Sequence, residues 1–144
     1  MPRPAPYRLD SASYPVTATY QTRFQDLDTM GHLNNVAYAA LFESARIAFN
    51  HGFGRRARAD DPFRAVMARN EINYLAEGTY PEDVVISTGI GRIGTRSWDI
   101  LALMEQGGRP IAVCDSTLVM TGDAGAALPA EFRAAAEGMR MRAG

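Results

Sequence analysis

The sequence predicts an α+β domain of two layers, in which one long helix packs on a five-stranded antiparallel sheet. Apolar side chains recur at helical spacing over only one long run, residues 35–51. One segment before that run and four after it carry the β-branched or alternating residues that are typical of strands. Because short turns join the four later segments, we expect consecutive strands to lie antiparallel and side by side.

The chain before the helix divides into two parts. Residues 1–14 contain three prolines and little periodicity, which predicts a flexible N-terminal arm in front of a single domain over residues 15–144. β-Branched and aromatic residues dominate residues 16–24, and we predict the first strand there.

The long helix has local signals at both ends. Asn34 or Asn35 is a favourable N-cap, and Gly52 ends the helical pattern. The core-facing side of this helix is predicted to include Ala40, Leu41, Ile47 and Ala48.

Strands two to five are predicted from alternating side chains and from the turns between them. Residues 106–109 contain two adjacent glycines and form a hairpin turn, and residues 129–140 form a short terminal helix. One long helix covers only one face of such a sheet, so we expect the sheet edge or the helix to be buried against a second copy of the chain, in a homodimer or a larger assembly. The predicted strands two to five are residues 65–74, 84–97, 98–104 and 111–121.

Composition limits the possible functions. The net charge of −1 gives no electrostatic basis for binding nucleic acid. Cys114 is the only cysteine and there are only two histidines, so we expect no disulfide, no metal site and no cofactor. No apolar stretch resembles a signal peptide or a membrane span, which predicts a cytoplasmic protein that does not bind membranes.

The loop before the long helix contains the main concentration of polar groups. The N-terminal end of a helix binds or polarises a negatively charged oxygen, because its first N–H groups have no partner within the helix. A carboxylate held beside it is placed to attack a carbonyl group or to activate water. The pattern therefore indicates an acyl-transfer site. The polar residues concerned are Asp26, Asp28, His32, Asn34 and Asn35.

This loop and the start of the helix resemble the motif of the 4-hydroxybenzoyl-CoA thioesterase family of the hotdog superfamily. Residues 42–46 extend the likeness into the helix, and weaker likenesses follow in the family's order at residues 72–75, 81–83, 92–97 and 128–129. The resemblance covers residues 17–133, which is nearly the whole chain. The matching loop residues read Asp26-x-Asp28-x-x-Gly31-His32-x-Asn34-Asn35-x-x-Tyr38.

The resemblance implies a hotdog fold and a homodimer, often paired into a tetramer, with active sites at the dimer interface. It also implies hydrolysis of an acyl-CoA thioester. In that reaction Asp28 is the catalytic carboxylate, and the backbone amide of Asn35 polarises the thioester carbonyl. Plant acyl-ACP thioesterases have a similar motif, in which Asp28 and His32 match whereas Met30 replaces an asparagine.

The catalytic roles have alternatives. Asp28 serves either as nucleophile or as general base. His32 either takes part in acid–base catalysis or fixes Asp28 through the loop. Glu43 is the alternative catalytic carboxylate, because some hotdog thioesterases use an acid on the helix; otherwise it pairs with Arg46 on the helix surface.

Five residues are candidates for binding the substrate. Asn34 lies at the site as well as capping the helix, and Tyr38 lines the acyl pocket or packs in the core. Asn73 positions water across the interface or occupies the polar face of its strand. Arg92 and Arg96 lie where related thioesterases contact the CoA phosphates, which arginine suits by charge and geometry. A competing basic patch consists of Arg55, Arg56 and Arg58.

The sequence therefore predicts an acyl-CoA thioesterase. Two alternatives stay open: a hotdog protein that binds acyl-CoA without hydrolysing it, and a thioesterase that acts on acyl-ACP. The acyl group itself is not defined by the sequence.

Overall fold

The computed structural model describes residues 3–52, 64–121 and 127–142. Five strands form one antiparallel sheet in the order β1-β3-β4-β5-β2, and the helix α1 packs on one of its faces. The predicted α+β hotdog fold, with one long helix on a five-stranded antiparallel sheet, is therefore confirmed. The elements are β1 (Val16–Tyr20), α1 (Asn35–Gly52), β2 (Arg64–Tyr74), β3 (Val84–Ile93), β4 (Ser97–Gln106), β5 (Arg109–Thr121) and α2 (Ala130–Glu137).

The position of β2 differs from the expectation that consecutive strands pair. β2 pairs with β5 rather than with β3, and it forms one edge of the sheet. Three strand spacings, roughly 14 Å, separate β2 from β3. Residues 75–83 connect the two strands and are long enough to cross that distance, since an extended chain advances about 3.3 Å per residue.

The buried side of α1 also differs from the predicted one. Ile47 is 51% exposed, and Ala40 and Ala48 are exposed as well. Aromatic side chains at spacings of four and seven residues face the sheet instead, because they bury more apolar area than the alanines do. The buried residues of α1 are Ala37, Tyr38, Phe42, Ala45 and Phe49.

The N-terminal segment lies against the outer face of the sheet, opposite α1, and departs from the loose arm that we expected. Its residues form two 3₁₀ turns, Pro6–Leu9 and Ser11–Ser13. The buried guanidinium of Arg8 donates a hydrogen bond to Asp115 Oδ1 at 2.7 Å, and it also donates to the hydroxyl of Tyr14 at 3.1 Å. These contacts attach the segment to β5.

The C-terminal residues pass along the edge of β3, and Met141 reaches the outer face. The amide of Ile90 donates to the carbonyl oxygen of Met139 at 2.8 Å, and the amide of Met141 donates back to Ile90 at 2.9 Å. A Cβ atom at Gly89 would lie 2.7 Å from Pro15 Cδ and 2.9 Å from Met141 Sδ. Glycine at this position therefore lets both chain ends cross the strand.

The edge strand β2 remains uncovered by the rest of the described chain. Residues 64–70 are all exposed, and they include Val66 at 53% and Met67 at 40%. Within the described ranges this edge, and not the outer face of the sheet, is the part left open. Within the three described ranges, no helix has the length and apolarity needed to cross a membrane.

Candidate active site

Asp28 lies at the base of a tight loop between β1 and α1. Its Oδ1 accepts hydrogen bonds from the backbone amides of Met30 at 2.8 Å and His32 at 3.2 Å. The loop is closed by the amide of Asp28, which donates to the carbonyl oxygen of His32 at 2.8 Å, and Gly31 supplies the left-handed φ of 80°. Asp28 Oδ2 accepts no hydrogen bond from the described part of the chain. The loop thus fixes one carboxylate oxygen, and the other has no partner among these residues.

The surroundings of Asp28 are exposed in the single protomer. Three large apolar side chains near it in the chain, Phe24, Met30 and Val36, are each about three-quarters exposed. The Phe24 ring also packs edge-on against Tyr80, with 6.1 Å between ring centroids. Exposed apolar surface of this extent usually marks a site that a partner or a ligand covers.

Asp26, the other carboxylate of the motif, has a structural role. It is 5% exposed and forms an ion pair with Arg23 at 2.9 Å. Its carbonyl oxygen accepts the amide of Asn34 at 2.8 Å. Asp26 therefore holds the start of α1 in place and does not offer a free carboxylate.

The N-terminal end of α1 carries two amides that have no partner among the described residues. Asn34 is the N-cap, because its Oδ1 accepts the amide of Ala37 at 2.8 Å. Asn35 and Val36 are exposed residues of the first turn, and their amides donate to no residue in the described ranges. These two N–H groups lie at the positive end of the helix, where they can bind a carbonyl oxygen or an anion.

His32 faces a carboxylate that the sequence analysis did not single out. Its Nε2 lies 3.0 Å from Oε2 of Glu77, in the connection between β2 and β3. The backbone amide of His32 donates to Asp28, whereas its side chain pairs with Glu77, so both predicted roles of the imidazole stay predictions. Among the residues that the structure describes, no group of three or more His, Cys, Asp or Glu could hold a metal ion.

Tyr38 lies in the core, one of the two alternatives that the sequence left open. Its hydroxyl accepts the amide of Gly78 at 3.0 Å and donates to the carbonyl oxygen of Ala76 at 3.4 Å. Its ring packs edge-on against Tyr74. Burial raises the pKa of the Tyr38 phenol above its usual value. A role for Tyr38 in lining the acyl pocket stays a prediction.

Asn73 and Glu43 lie on surfaces that do not face the Asp28 loop. Asn73 lies opposite Val113 on the outer face of the sheet, away from α1, and its amide group donates to Glu71 at 3.4 Å. Glu43 is exposed on α1, and the residue we expected to pair with it, Arg46, donates instead to Ser116 at 3.3 Å.

Arg92 and Arg96 lie at the far end of the sheet from the Asp28 loop. That loop adjoins the start of β3, whereas Arg92 lies eight residues further along the strand, a distance of roughly 26 Å. Arg92 donates to Ser97 at 2.9 Å, and Arg96 donates to the carbonyl oxygen of Met120 at 3.2 Å. Neither arginine lies beside Asp28 within one protomer. The competing basic patch, Arg55, Arg56 and Arg58, lies outside the described residues.

Comparisons with known proteins agree with this architecture. The sequence profile of the thioesterase-like superfamily matches residues 22–136. No curated protein matches the chain significantly.

Three similar solved structures illustrate the fold. A protein from Pseudomonas aeruginosa has a TM-score of 0.80 at 22% identity, over 93% of this chain and 97% of its own. A predicted thioesterase from Bacillus stearothermophilus has a TM-score of 0.79 at 27% identity, over 89% and 98%. A thioesterase from Thermus thermophilus, complexed with coenzyme A and Zn, has a TM-score of 0.75 at 27% identity, over 88% and 95%.

Proposed function

The chain belongs to the thioesterase-like superfamily, and from this premise we propose that it hydrolyses the thioester bond of an acyl-CoA to the free acid and CoA. The prediction of a thioester hydrolase is confirmed at the level of the superfamily. One observation supports this choice of chemistry above the others. The Asp28 carboxylate and the amides of Asn35 and Val36 belong to the same loop–helix junction, and Oδ2 of Asp28 and both amides have no partner in the described part of the chain.

In the proposed reaction the thioester carbonyl oxygen accepts a hydrogen bond from the Asn35 amide. Negative charge develops on this oxygen as the carbonyl carbon is attacked, and the positive end of the helix stabilises it. Asp28 Oδ2 either attacks the carbon itself or removes a proton from the water that does so. In both routes the carbon–sulfur bond breaks and CoA leaves as the thiolate. In the first route water then hydrolyses the acyl–Asp28 anhydride, which releases the free acid and restores the carboxylate. His32 is the third proposed catalytic residue.

CoA as the carrier is supported by the Thermus thermophilus thioesterase that was solved with coenzyme A. Arg92 and Arg96 remain the proposed contacts to its phosphates, supplied by the other protomer. A second copy paired antiparallel along β2 would bring its β3–β4 turn to the end of the sheet where the Asp28 loop lies. The other proposed substrate-binding residues are Asn34, Tyr38 and Asn73.

We further propose that this partner is a second copy of the chain, in a cytoplasmic homodimer or tetramer with the active site at the dimer interface. The exposed edge of β2 supports the interface, because an unpaired strand edge readily pairs with another chain. The apolar surface formed by Phe24, Met30 and Val36 supports a covered rather than an open site.

Thiol release from a panel of short, long and aromatic acyl-CoAs tests the proposed function. We expect release of CoA from at least one member, with saturation kinetics. Acyl-CoA binding without release across the panel would favour the non-hydrolytic alternative. Faster release from an acyl group on carrier protein than from its CoA ester would favour the acyl-ACP alternative.

A further inference from the structure

We propose that two copies of the chain pair antiparallel along β2 in one register, with Asn70 of one copy directly opposite Asn70 of the other. In this register each Arg69 faces the Glu71 of the other copy. The inference deepens the proposed function, because it rests on the proposed homodimer and fixes how its two strands align. Two ion pairs of opposite charge then join the strands, one on each side of Asn70.

The edge of β2 carries both charges at its surface. Arg69 and Glu71 form an ion pair along the strand, and their side chains stay 51% and 43% exposed. Glu71 lies opposite Asp115 on β5, whose charge is already compensated by Arg8 on the outer face. A guanidinium has five N–H donors and a carboxylate has two acceptor oxygens. Each side chain can therefore keep its pair within the strand and form a second one across the edge.

Charge distinguishes between the registers that this edge allows. Two identical antiparallel strands pair about a two-fold axis, so one residue always lies opposite its own copy. If that residue were Arg69 or Glu71, like charges would face each other, which destabilises a sheet. Centring on Asn70 puts each arginine opposite a glutamate, because the two charges lie one residue to either side of it. The strand is regular here, since its bulge lies before Arg69.

The Asn70 side chain suits a position on the two-fold axis. Its Oδ1 accepts the hydroxyl of Ser116 at 2.8 Å, and the Ser116 hydroxyl accepts from Arg46 of α1 at 3.3 Å. These contacts hold the amide on the α1 face of the sheet, and its Nδ2 donates to no residue in the described ranges. A neutral amide has both donors and an acceptor, so it can face its own copy without charge repulsion.

Disulfide cross-linking tests the register directly, in a Cys114→Ser background that removes the only native thiol. Asn70→Cys then places two thiols opposite each other, with their Cα atoms roughly 4.5–5.5 Å apart, a separation that a disulfide spans. Under mild oxidation we expect this variant to form a covalent dimer that a reductant separates.

Arg69→Cys and Glu71→Cys, in the same background, give the matched comparison. Alone, each should cross-link poorly, because the two copies of its thiol are offset by two residues and their Cα atoms lie beyond the limit of about 7 Å. Mixed and allowed to exchange subunits, the two variants should cross-link as readily as Asn70→Cys. Efficient cross-linking of either variant alone would overturn the register.

Charge reversal tests the ion pairs by a second route. Arg69→Glu alone and Glu71→Arg alone each put like charges opposite each other, and we expect each to raise the Kd of the dimer about tenfold. An equimolar mixture of the two should associate as tightly as the parent, because every pair across the axis is then opposite in charge. Both chains of this mixture still lack the ion pair within their own strand, so a role confined to that pair predicts no recovery.

Sedimentation equilibrium without substrate measures the Kd, and circular dichroism confirms that each variant is folded. Glu131→Arg, at an exposed glutamate on α2, is the control and should leave the Kd unchanged. A monomeric parent protein, or a mixture that associates no more tightly than either variant alone, would overturn the register. Failure to hydrolyse any thioester would refute the proposed function, and these measurements would still decide the register.

Discussion

Gly78 and Leu33 are so close that a Cβ atom at position 78 would lie 2.6 Å from Cδ1 of Leu33. The segment that follows β2 therefore packs directly on the loop that carries Asp28, and only glycine leaves the space for this contact. Because both Leu33 and the next nearest neighbour, Ile111, are buried, neither side chain can move aside without disturbing the core.

We expect Gly78→Ala to lower the free energy of unfolding by about 1–3 kcal/mol, as overpacking of a core does, and to lower kcat because the Asp28 loop shifts. Chemical denaturation and thiol release measure the two effects. Gly52→Ala is the control, because a Cβ atom there meets nothing within 4 Å. Equal stability of the two variants would show that the loop tolerates the extra methyl group.

The Asn35 amide can be removed without disturbing the helix. Proline is well accommodated at the first helical position, where the N–H has no partner within the helix. We expect Asn35→Pro to lower kcat by about 10²–10³, the usual effect of removing one oxyanion donor. Asn35→Ala keeps the amide and isolates the effect of the side chain. If the proline variant turns over as fast as the alanine variant, the Asn35 amide does not bind the oxyanion.

The contact between Arg8 and Asp115 should affect stability and not catalysis. Arg8→Met keeps the apolar stem but removes the ion pair, and the Asp115 side chain is 27% exposed and can be partly solvated. We therefore expect a loss of about 1–2 kcal/mol, less than for a fully buried pair. Thermal unfolding measures the loss, and Arg3→Met, an exposed arginine of the same segment, is the control. An equal melting temperature for both variants would contradict the attachment of this segment to β5.

Burial of Tyr38 predicts a loss of stability at alkaline pH. Because burial raises the pKa of its phenol, the folded protein keeps a proton that the unfolded chain releases. The free energy of unfolding should therefore be pH-independent with respect to this group below its unfolded pKa of about 10, and should fall as the pH rises above it. Tyr14, whose pKa burial also raises, adds to the same trend.

Tyr38→Phe should reduce this alkaline loss. It should also cost about 1–2 kcal/mol at neutral pH, because the amide of Gly78 loses its partner. Denaturation curves between pH 8 and about pH 11 measure both effects. A pH dependence identical to that of the parent protein would show that Tyr38 ionises as freely in the folded state as in the unfolded chain.

The features that the sequence predicted well have local causes. The start of α1 follows from Asn34, whose side chain accepts the amide of Ala37 in the first turn of the helix. The hairpin before Arg109 follows from two glycines with positive φ. Such signals lie within a few residues of the structure that they determine.

The features that it missed depend on contacts between distant segments. β2 joins β5 because the connection over residues 75–83 is long enough to cross the sheet, a choice that no local pattern decides. Glu77 is an exposed glutamate in that connection, and only the backbone register between Leu33 and Gly78 brings it to His32. Arg8 lies in a proline-rich segment without periodicity, and its partner lies on β5.

In the proposed reaction the Asp28 carboxylate performs the chemistry. Asp28→Asn tests it with little structural change, because an asparagine Oδ1 still accepts the amides of Met30 and His32 that hold the loop. Glu43→Gln is the matched variant for the alternative carboxylate on α1.

The decisive measurement is kcat of both variants on the best acyl-CoA, with unfolding curves to confirm that each is folded. We predict that Asp28→Asn loses a factor of about 10²–10⁴ in kcat while Glu43→Gln hydrolyses at the parent rate. Parent-like hydrolysis by Asp28→Asn would contradict the account.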